Sequence, residues 1–200
     1  MTFPRGCAPA SHLLLTTLSL VMLPLGAARA DGSCPELTLE AGVVTALPAI
    51  LEVGQTLGGM AALSVGYGPF IYGVRASVSQ AEEFSSTWRI THTEMRLRAL
   101  GGVRAAAGRG TWILRLGLGL SVVHEGRERH DAANVSLPGA AADQSAWAAV
   151  PAIDLEGGLV LNVYSDWGLS LFAGPTLHFG SITDGAHWGW TGSGAVVWTP

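Results

Sequence analysis

The sequence contains no lysine, since all eleven basic residues are arginine, and these face fifteen aspartates and glutamates. Arg5 and Arg29 lie in an N-terminal segment that we expect to be removed. Residues 31–200 then carry nine arginines against fifteen acids, a net charge near −6. A surface of that sign repels phosphate backbones, so we expect no nucleic-acid partner.

The N-terminal segment has the features of a secretory signal peptide. Arg5 supplies a positive start, residues 13–23 form a short apolar run, and Ala28 and Ala30 are the small residues that precede a cleavage site. A membrane anchor is the alternative, but the run is short for a helix that spans a bilayer. We therefore predict that residues 1–30 are removed.

Cysteine and long apolar runs are also scarce. Cys7 belongs to the predicted signal peptide, which leaves Cys34 alone and excludes an internal disulfide framework. The best candidate for a spanning helix in the rest of the chain, residues 42–63, is interrupted by Pro48 and Glu52. Mean hydropathy is nonetheless high, at +0.36. Export, high hydropathy and the lack of a spanning helix together favour a membrane β-barrel.

Residues 111–123 show a strict alternation of two kinds of side chain, which is typical of a β-strand with two different faces. One face is large and apolar, and the other is small or charged. A soluble sheet would turn the second face to water, yet that face is mostly glycine and serine. We predict instead that the apolar set faces lipid and that the second set faces a lumen: Arg115, Gly117, Gly119 and Ser121.

The alternation recurs along the chain, and long connections alternate with short ones, as in outer-membrane barrels. The register slips near Thr91, which predicts a β-bulge. We predict an all-β, antiparallel, up-and-down transmembrane barrel over residues 42–200, after a short segment at 31–41. Its eight strands are predicted at 42–54, 60–67, 70–80, 87–105, 111–128, 146–163, 168–180 and 187–198.

The aromatic residues fall near the predicted strand ends, where amphipathic rings prefer the membrane–water interface. All seven tryptophans take part. The girdle at the long-loop end is predicted from Trp88, Trp147, Trp188 and Trp190. The girdle at the short-turn end is predicted from Tyr67, Phe70, Tyr72, Trp112, Tyr164, Trp167 and Trp198.

In these strands and paired girdles the sequence resembles the small outer-membrane barrels of Gram-negative bacteria, the OmpA, OmpX and OmpW kind. The resemblance is architectural and covers nearly all of residues 42–200. It implies an outer-membrane location, contact with outer-membrane lipid and lipopolysaccharide, insertion by the barrel-insertion machinery, and a monomer.

The predicted lumen carries charges that nearly balance. Charges inside so narrow a barrel must be paired, because an unpaired buried charge is costly, and arginine pairs well with carboxylates. We therefore predict a salt-bridged, non-conducting lumen with no cofactor or metal. Its charge network is predicted from Glu52, Arg75, Glu94, Arg96, Arg98, Arg115, Asp154 and Glu156.

The histidines are scattered and show no zinc-ligand spacing. His178 and Ser181 lie near the long-loop rim, where a base and a nucleophile could act on lipid A, but a third orienting carboxylate is not evident. We favour a structural or surface-interaction role without enzymatic activity. The alternatives are a narrow passage for small apolar molecules, a lipid A-modifying enzyme and a secreted lipocalin-like binder.

Overall fold

The computed structural model describes residues 35–47, 55–84, 88–129, 144–180 and 186–200. These residues form eight antiparallel strands in a closed barrel, in which each strand pairs with its chain neighbours and β1 pairs with β8. The predicted fold class is therefore confirmed. The strands are β1 Glu36–Leu47, β2 Thr56–Tyr67, β3 Phe70–Phe84, β4 Trp88–Ala107, β5 Gly110–Arg129, β6 Gln144–Tyr164, β7 Trp167–Phe179 and β8 Ala186–Trp198.

The strands tilt steeply across the barrel axis. We follow the pairing once around the wall, from each residue to its partner on the next strand. The path leaves β8 at Trp188 and passes Leu118 on β5 and Leu39 on β1. It returns to β8 at Trp198, ten residues further along the strand. Closure of a barrel requires such a stagger. The side chains that meet in the lumen therefore come from different positions along their strands.

Three hairpins close the short-turn end of the barrel. Gly68 and Gly108 have positive φ angles of 54° and 61°, which glycine adopts without steric cost. The third hairpin contains Ser165, with a φ of 41°, and its hydroxyl donates to Asp166 Oδ1 at 2.9 Å. These tight turns hold paired strands in a fixed register.

The first strand begins earlier than predicted. β1 starts at Glu36, whereas the prediction placed the barrel boundary at residue 42 and a short separate segment at 31–41. The polar–apolar alternation already begins at Glu36, and lipid-facing Leu37 and Leu39 belong to it. Residues 1–30, Cys34 and Glu52 lie outside the described residues.

The bulge predicted near Thr91 is wrong. Around this residue β4 pairs without a shift with both β3 and β5. Trp88 and Ile90 therefore share the phase of lumen-facing His92. The prediction failed because it assumed that every large apolar residue of β4 faces outward, whereas the pairing gives Trp88 and Ile90 the inward phase.

The barrel is polar inside and apolar outside. Among the described residues, eighteen polar or charged residues are buried against twelve apolar ones, while leucines and tryptophans dominate the exposed set. No helix in the described part of the chain is long and apolar enough to cross a membrane. An apolar exterior around a polar core is the reverse of a soluble protein and matches a barrel surrounded by lipid.

Candidate functional site

The lumen of the barrel is the candidate site, because alternation turns the charged residues of β3–β6 inward. Seven of the eight residues predicted for its charge network are described, and each of them is at most 6% exposed. The eighth, Glu52, lies outside the described residues. The seven are Arg75, Glu94, Arg96, Arg98, Arg115, Asp154 and Glu156.

Two acids of β6 bind three arginines at the centre of the lumen. Arg75 donates to both oxygens of Glu156, at 2.6 and 2.7 Å, and to Asp154 Oδ2 at 3.0 Å. Arg98 Nε donates to the same Asp154 oxygen at 2.8 Å, and Arg115 Nε donates to Glu156 Oε2 at 2.7 Å. Arg75 thus bridges the two acids, with Nη1 on Glu156 and Nη2 on Asp154, and charge-assisted contacts of this kind are strong.

The arginines are also tied to the barrel wall. Arg98 donates to the backbone carbonyl of Leu120 at 2.6 Å and to Ser121 Oγ at 2.8 Å. The guanidinium of Arg115 lies 3.6 Å from the centroid of the Phe172 ring. A desolvated cation over an aromatic face adds to the electrostatic stabilisation.

Glu40 of β1 completes the cluster and was not among the predicted residues. Its Oε1 accepts from Arg115 Nη1 at 3.3 Å, and its Oε2 lies 3.5 Å from the hydroxyl of Ser170. The prediction missed it because it began the first strand at residue 42. The signal was present in the sequence, since Glu36, Thr38 and Glu40 alternate with apolar residues.

A second cluster lies nearer the long-loop end. Glu94 accepts from Arg96 Nη2 at 2.6 Å, and its other carboxylate oxygen lies 3.2 Å from His178 Nε2. His178 is thus paired with a carboxylate inside the lumen. Both ring nitrogens of His92 are buried without a hydrogen-bond partner in the described part of the chain.

Two clusters of apolar side chains also lie inside the barrel. Toward the short turns, Ile71, Ile113 and Phe172 form a buried cluster beneath the charges. Gly158 is required there, because a Cβ at this position would lie 2.2 Å from Cδ1 of Phe172. A second apolar cluster lines the wall of β1, β2 and β8 and consists of Val44, Met60, Ala62 and Ala195.

The aromatic residues occupy the strand ends, with one correction. Trp167 and Trp198 pack 6.3 Å apart at the short-turn end, and Trp147 packs against His124 at 4.2 Å. Trp88 was predicted in the outer girdle, but it has the lumen phase of β4 and is half-buried. The other predicted girdle residues have the outward phase of their strands, except that Tyr164 follows a register shift in β6 and is exposed there.

The described residues contain no group of three or more acidic, histidine or cysteine side chains that could hold a metal ion. Ser181, the nucleophile of the enzyme alternative, lies outside the described residues. The arrangement therefore offers pairing of charges and an oriented histidine, without a described nucleophile beside it.

These features define the class: the chain folds as an eight-stranded transmembrane β-barrel of the Gram-negative outer-membrane type. The chain is similar to the solved structure of Ail, the attachment invasion locus protein of Yersinia pestis, at 12% identity and a TM-score of 0.50. That match covers 83% of this chain and 100% of Ail. It is also similar to Neisserial surface protein A, at 13% identity and a TM-score of 0.49, over 84% of this chain and 100% of that protein. No family model and no curated protein sequence match the chain.

Proposed function

We propose that this outer-membrane barrel acts through the part of its wall that projects beyond the membrane at the long-loop end, while its lumen stays closed. The observation that carries the proposal is the unequal length of the strands. β4, β5 and β6 have 20, 20 and 21 residues, whereas β1, β2, β7 and β8 have 12 or 13. A tilted transmembrane strand needs roughly 9–11 residues. The long strands therefore exceed a membrane span by about nine residues.

The projecting part is a four-stranded sheet whose two edge strands continue past their described pairing with β2 and β7. On one side, Gln80 is the last residue of β3 paired with β2, and β3 continues to Phe84. On the other side, Ala152 is the outermost residue of β6 with a described partner on β7, and β6 continues to Gln144. Strand edges of this kind can pair with an extended segment of a partner protein.

Exposed side chains on the sheet also suit contact with a protein. Phe84 and Trp147 are 64% and 63% exposed. Aromatic side chains are enriched where proteins bind one another. Beside Phe84, Arg89 pairs with Glu82 at 2.9 Å, and on the other face of the sheet Arg127 pairs with Glu125 at 2.8 Å.

The charge pattern favours a protein over a polyanion as the partner. The Ail structure was solved in complex with the heparin analogue sucrose octasulfate. In the present chain Arg89 and Arg127 are paired with carboxylates, and the sequence has no lysine. A partner of high negative charge would have to displace those carboxylates.

The contents of the lumen favour this proposal over the alternatives. Paired charges and an apolar cluster lie in the lumen, which disfavours a passage for apolar molecules. His178 faces Glu94 inside the lumen, away from the lipid that a lipid A-modifying enzyme would attack. The apolar exterior disfavours a secreted lipocalin-like binder.

A shortened sheet provides the test. A variant in which a two-residue turn replaces residues 82–91 removes one projecting hairpin, keeps Ala81 paired with His92 and so keeps the membrane part of the barrel. We expect the full-length protein in vesicles to bind at least one member of a panel of immobilised host-surface proteins, and the shortened variant to lose at least tenfold in affinity. Equal binding by both proteins, or no binding by the full-length protein, would contradict the proposal.

A conductance measurement tests the closed lumen separately. An eight-stranded barrel has an interior about as wide as its own side chains, and here paired arginines occupy it. We expect no steady ion conductance from the purified protein in planar bilayers. Stable single-channel steps that persist after contaminating porins are removed would favour the passage alternative.

A further inference from the structure

The lipid-facing surface carries an open groove of about 530 Å³ across β8, β1, β2, β3 and β4. Its floor consists of Ala41, Ala61 and Ala76, which pair side by side on three adjacent strands. The same row continues to Val196 on β8 and to Leu97 on β4. Three neighbouring alanines lower the surface beside the larger side chains of the row toward the short turns, and on the other side the surface stays low at Gly59 and Gly194.

Apolar side chains form the wall of the groove on the side of the short turns. Leu39, Leu63 and Val74 lie side by side in the next row, and Trp198 ends that row on β8. Trp198 packs against Trp167, and both rings line the groove. The side chains that face the groove from the outer surface are therefore all apolar.

The groove runs from one membrane interface toward the middle of the membrane. Val196 is two residues from Trp198 at the short-turn end of β8, whereas Leu97 is ten residues from the short-turn end of β4 at Ala107. Neighbouring strands are about 4.8 Å apart, so the four strand steps from Val196 to Leu97 span about 19 Å. The groove is therefore shorter than the hydrocarbon core of a bilayer, which is about 30 Å thick.

We propose that the groove binds one acyl chain of a phospholipid from the leaflet at the short-turn end, with the headgroup beside Trp167 and Trp198. The groove is continuous with the lipid-facing belt and opens at the aromatic girdle, where headgroups lie. Its outer side chains offer dispersion contacts, and the two charged residues at its floor, Glu40 and Arg75, turn their side chains into the lumen. The inference rests on the membrane-spanning barrel and is independent of the projecting sheet.

A second copy of the barrel fits this surface less well. In a two-fold dimer the same surface of each barrel faces its copy. The groove is concave, so its floor would stay unfilled in such a contact. The leucine row of β5 could enter the groove, but a contact between two different faces does not close into a dimer. A flexible acyl chain fills the depression without these constraints.

Native mass spectrometry tests the proposal on the full chain folded in bilayers of phosphatidylethanolamine and phosphatidylglycerol and extracted in mild detergent. Ala61→Leu combined with Ala76→Leu fills the floor from the outside. Ala173→Leu is the matched control, because Ala173 faces lipid on β7 away from the groove. We expect one retained phospholipid on the wild type and on the control, and at least fivefold less on the double variant.

A second measurement uses a phospholipid with a nitroxide label on its acyl chain, followed by electron spin resonance in vesicles. With the wild type we expect a spectral component from motionally restricted acyl chains, and we expect Ala41→Leu to reduce that component. The test then does not depend on one variant. Heat-dependent gel mobility confirms that each variant is folded. Equal retention in all variants, no retention by the wild type, or a two-chain species lost in the double variant would overturn the proposal.

Discussion

The two halves of the barrel wall are built differently. Strands β3–β6 are long and carry most of the described lumen charge. Strands β7, β8, β1 and β2 have 12 or 13 residues and contribute Glu40 and His178, the large apolar Phe172 and Met60, and several small side chains. The buried charges of the long half are Arg75, Glu94, Arg96, Arg98, Arg115, Glu125, Asp154 and Glu156.

The difference follows from the width of the lumen. Eight strands enclose a space that side chains just fill, so long arginines from one half need small residues on the other. Ser64, Ser170 and Ala62 are buried on the short-strand half. One half therefore supplies the ion pairs, and the other supplies the room for them.

Removing Glu156 should have the largest effect on this arrangement. Glu156 accepts hydrogen bonds from both Arg75 and Arg115, and its loss leaves two buried guanidinium groups without that partner. We expect Glu156→Ala to lower the free energy of unfolding by about 3–5 kcal/mol. Urea unfolding in phospholipid vesicles, followed by tryptophan fluorescence, measures the change.

Glu156→Gln is the control for volume, because it keeps the size of the side chain and removes the charge. We expect Glu156→Gln to lower the free energy of unfolding by a large part of the amount expected for Glu156→Ala. A loss below about 1 kcal/mol in Glu156→Ala would be the value typical of an exposed pair. That result would contradict the central role of the ion pairs.

Overfilling the small-residue half should have the next largest effect. Ala62 is buried in the cluster of Val44, Met60 and Ala195, whereas neighbouring Ala61 faces lipid. We expect Ala62→Leu to cost about 1–3 kcal/mol because extra methylenes strain a packed core. Ala61→Leu should change the free energy of unfolding by less than about 0.5 kcal/mol. Equal effects in the same urea assay would show that the lumen has spare room on this side.

Alternation along single strands predicted which residues face the lumen. The pattern in β5 placed Arg115 inward, and those in β4 and β6 did the same for Arg98 and Asp154, as the structure shows. This was possible because the side-chain period of two residues is a local property. Lipid on one side and packed charge on the other keep the two sets distinct.

The partners across the lumen could not be predicted in this way. Arg75 and Glu156 are 81 residues apart, and they meet because of the stagger of the whole barrel. Glu40 was missed because the start of β1 was placed at residue 42. Trp88 was assigned to a girdle because the part of β4 beyond the membrane lacks lipid to fix its phase.

The pair of Glu94 and His178 links the two halves, and its loss should have a smaller effect. His178 contributes a neutral or charged hydrogen bond at 3.2 Å, and Glu94 keeps Arg96 as a second partner. We expect His178→Ala to cost about 1–3 kcal/mol, the range for leaving a buried acceptor short of a partner. The urea midpoint at neutral pH measures it, with His187→Ala on the neighbouring strand for comparison. A stabilised variant would contradict a linking role.

The projecting sheet should respond least to the loss of a charge. Glu128 is on β5, its side chain is 66% exposed, and its carboxylate lies 3.8 Å from Arg89, which also pairs with Glu82 at 2.9 Å. Water screens an exposed pair of this kind, and such pairs contribute roughly 0–1 kcal/mol. We expect Glu128→Ala to change the free energy of unfolding by less than about 0.5 kcal/mol, and raised salt to leave even that difference smaller. A loss as large as that of Glu156→Ala would mean that the sheet beyond the membrane, and not the lumen, determines the stability of the barrel.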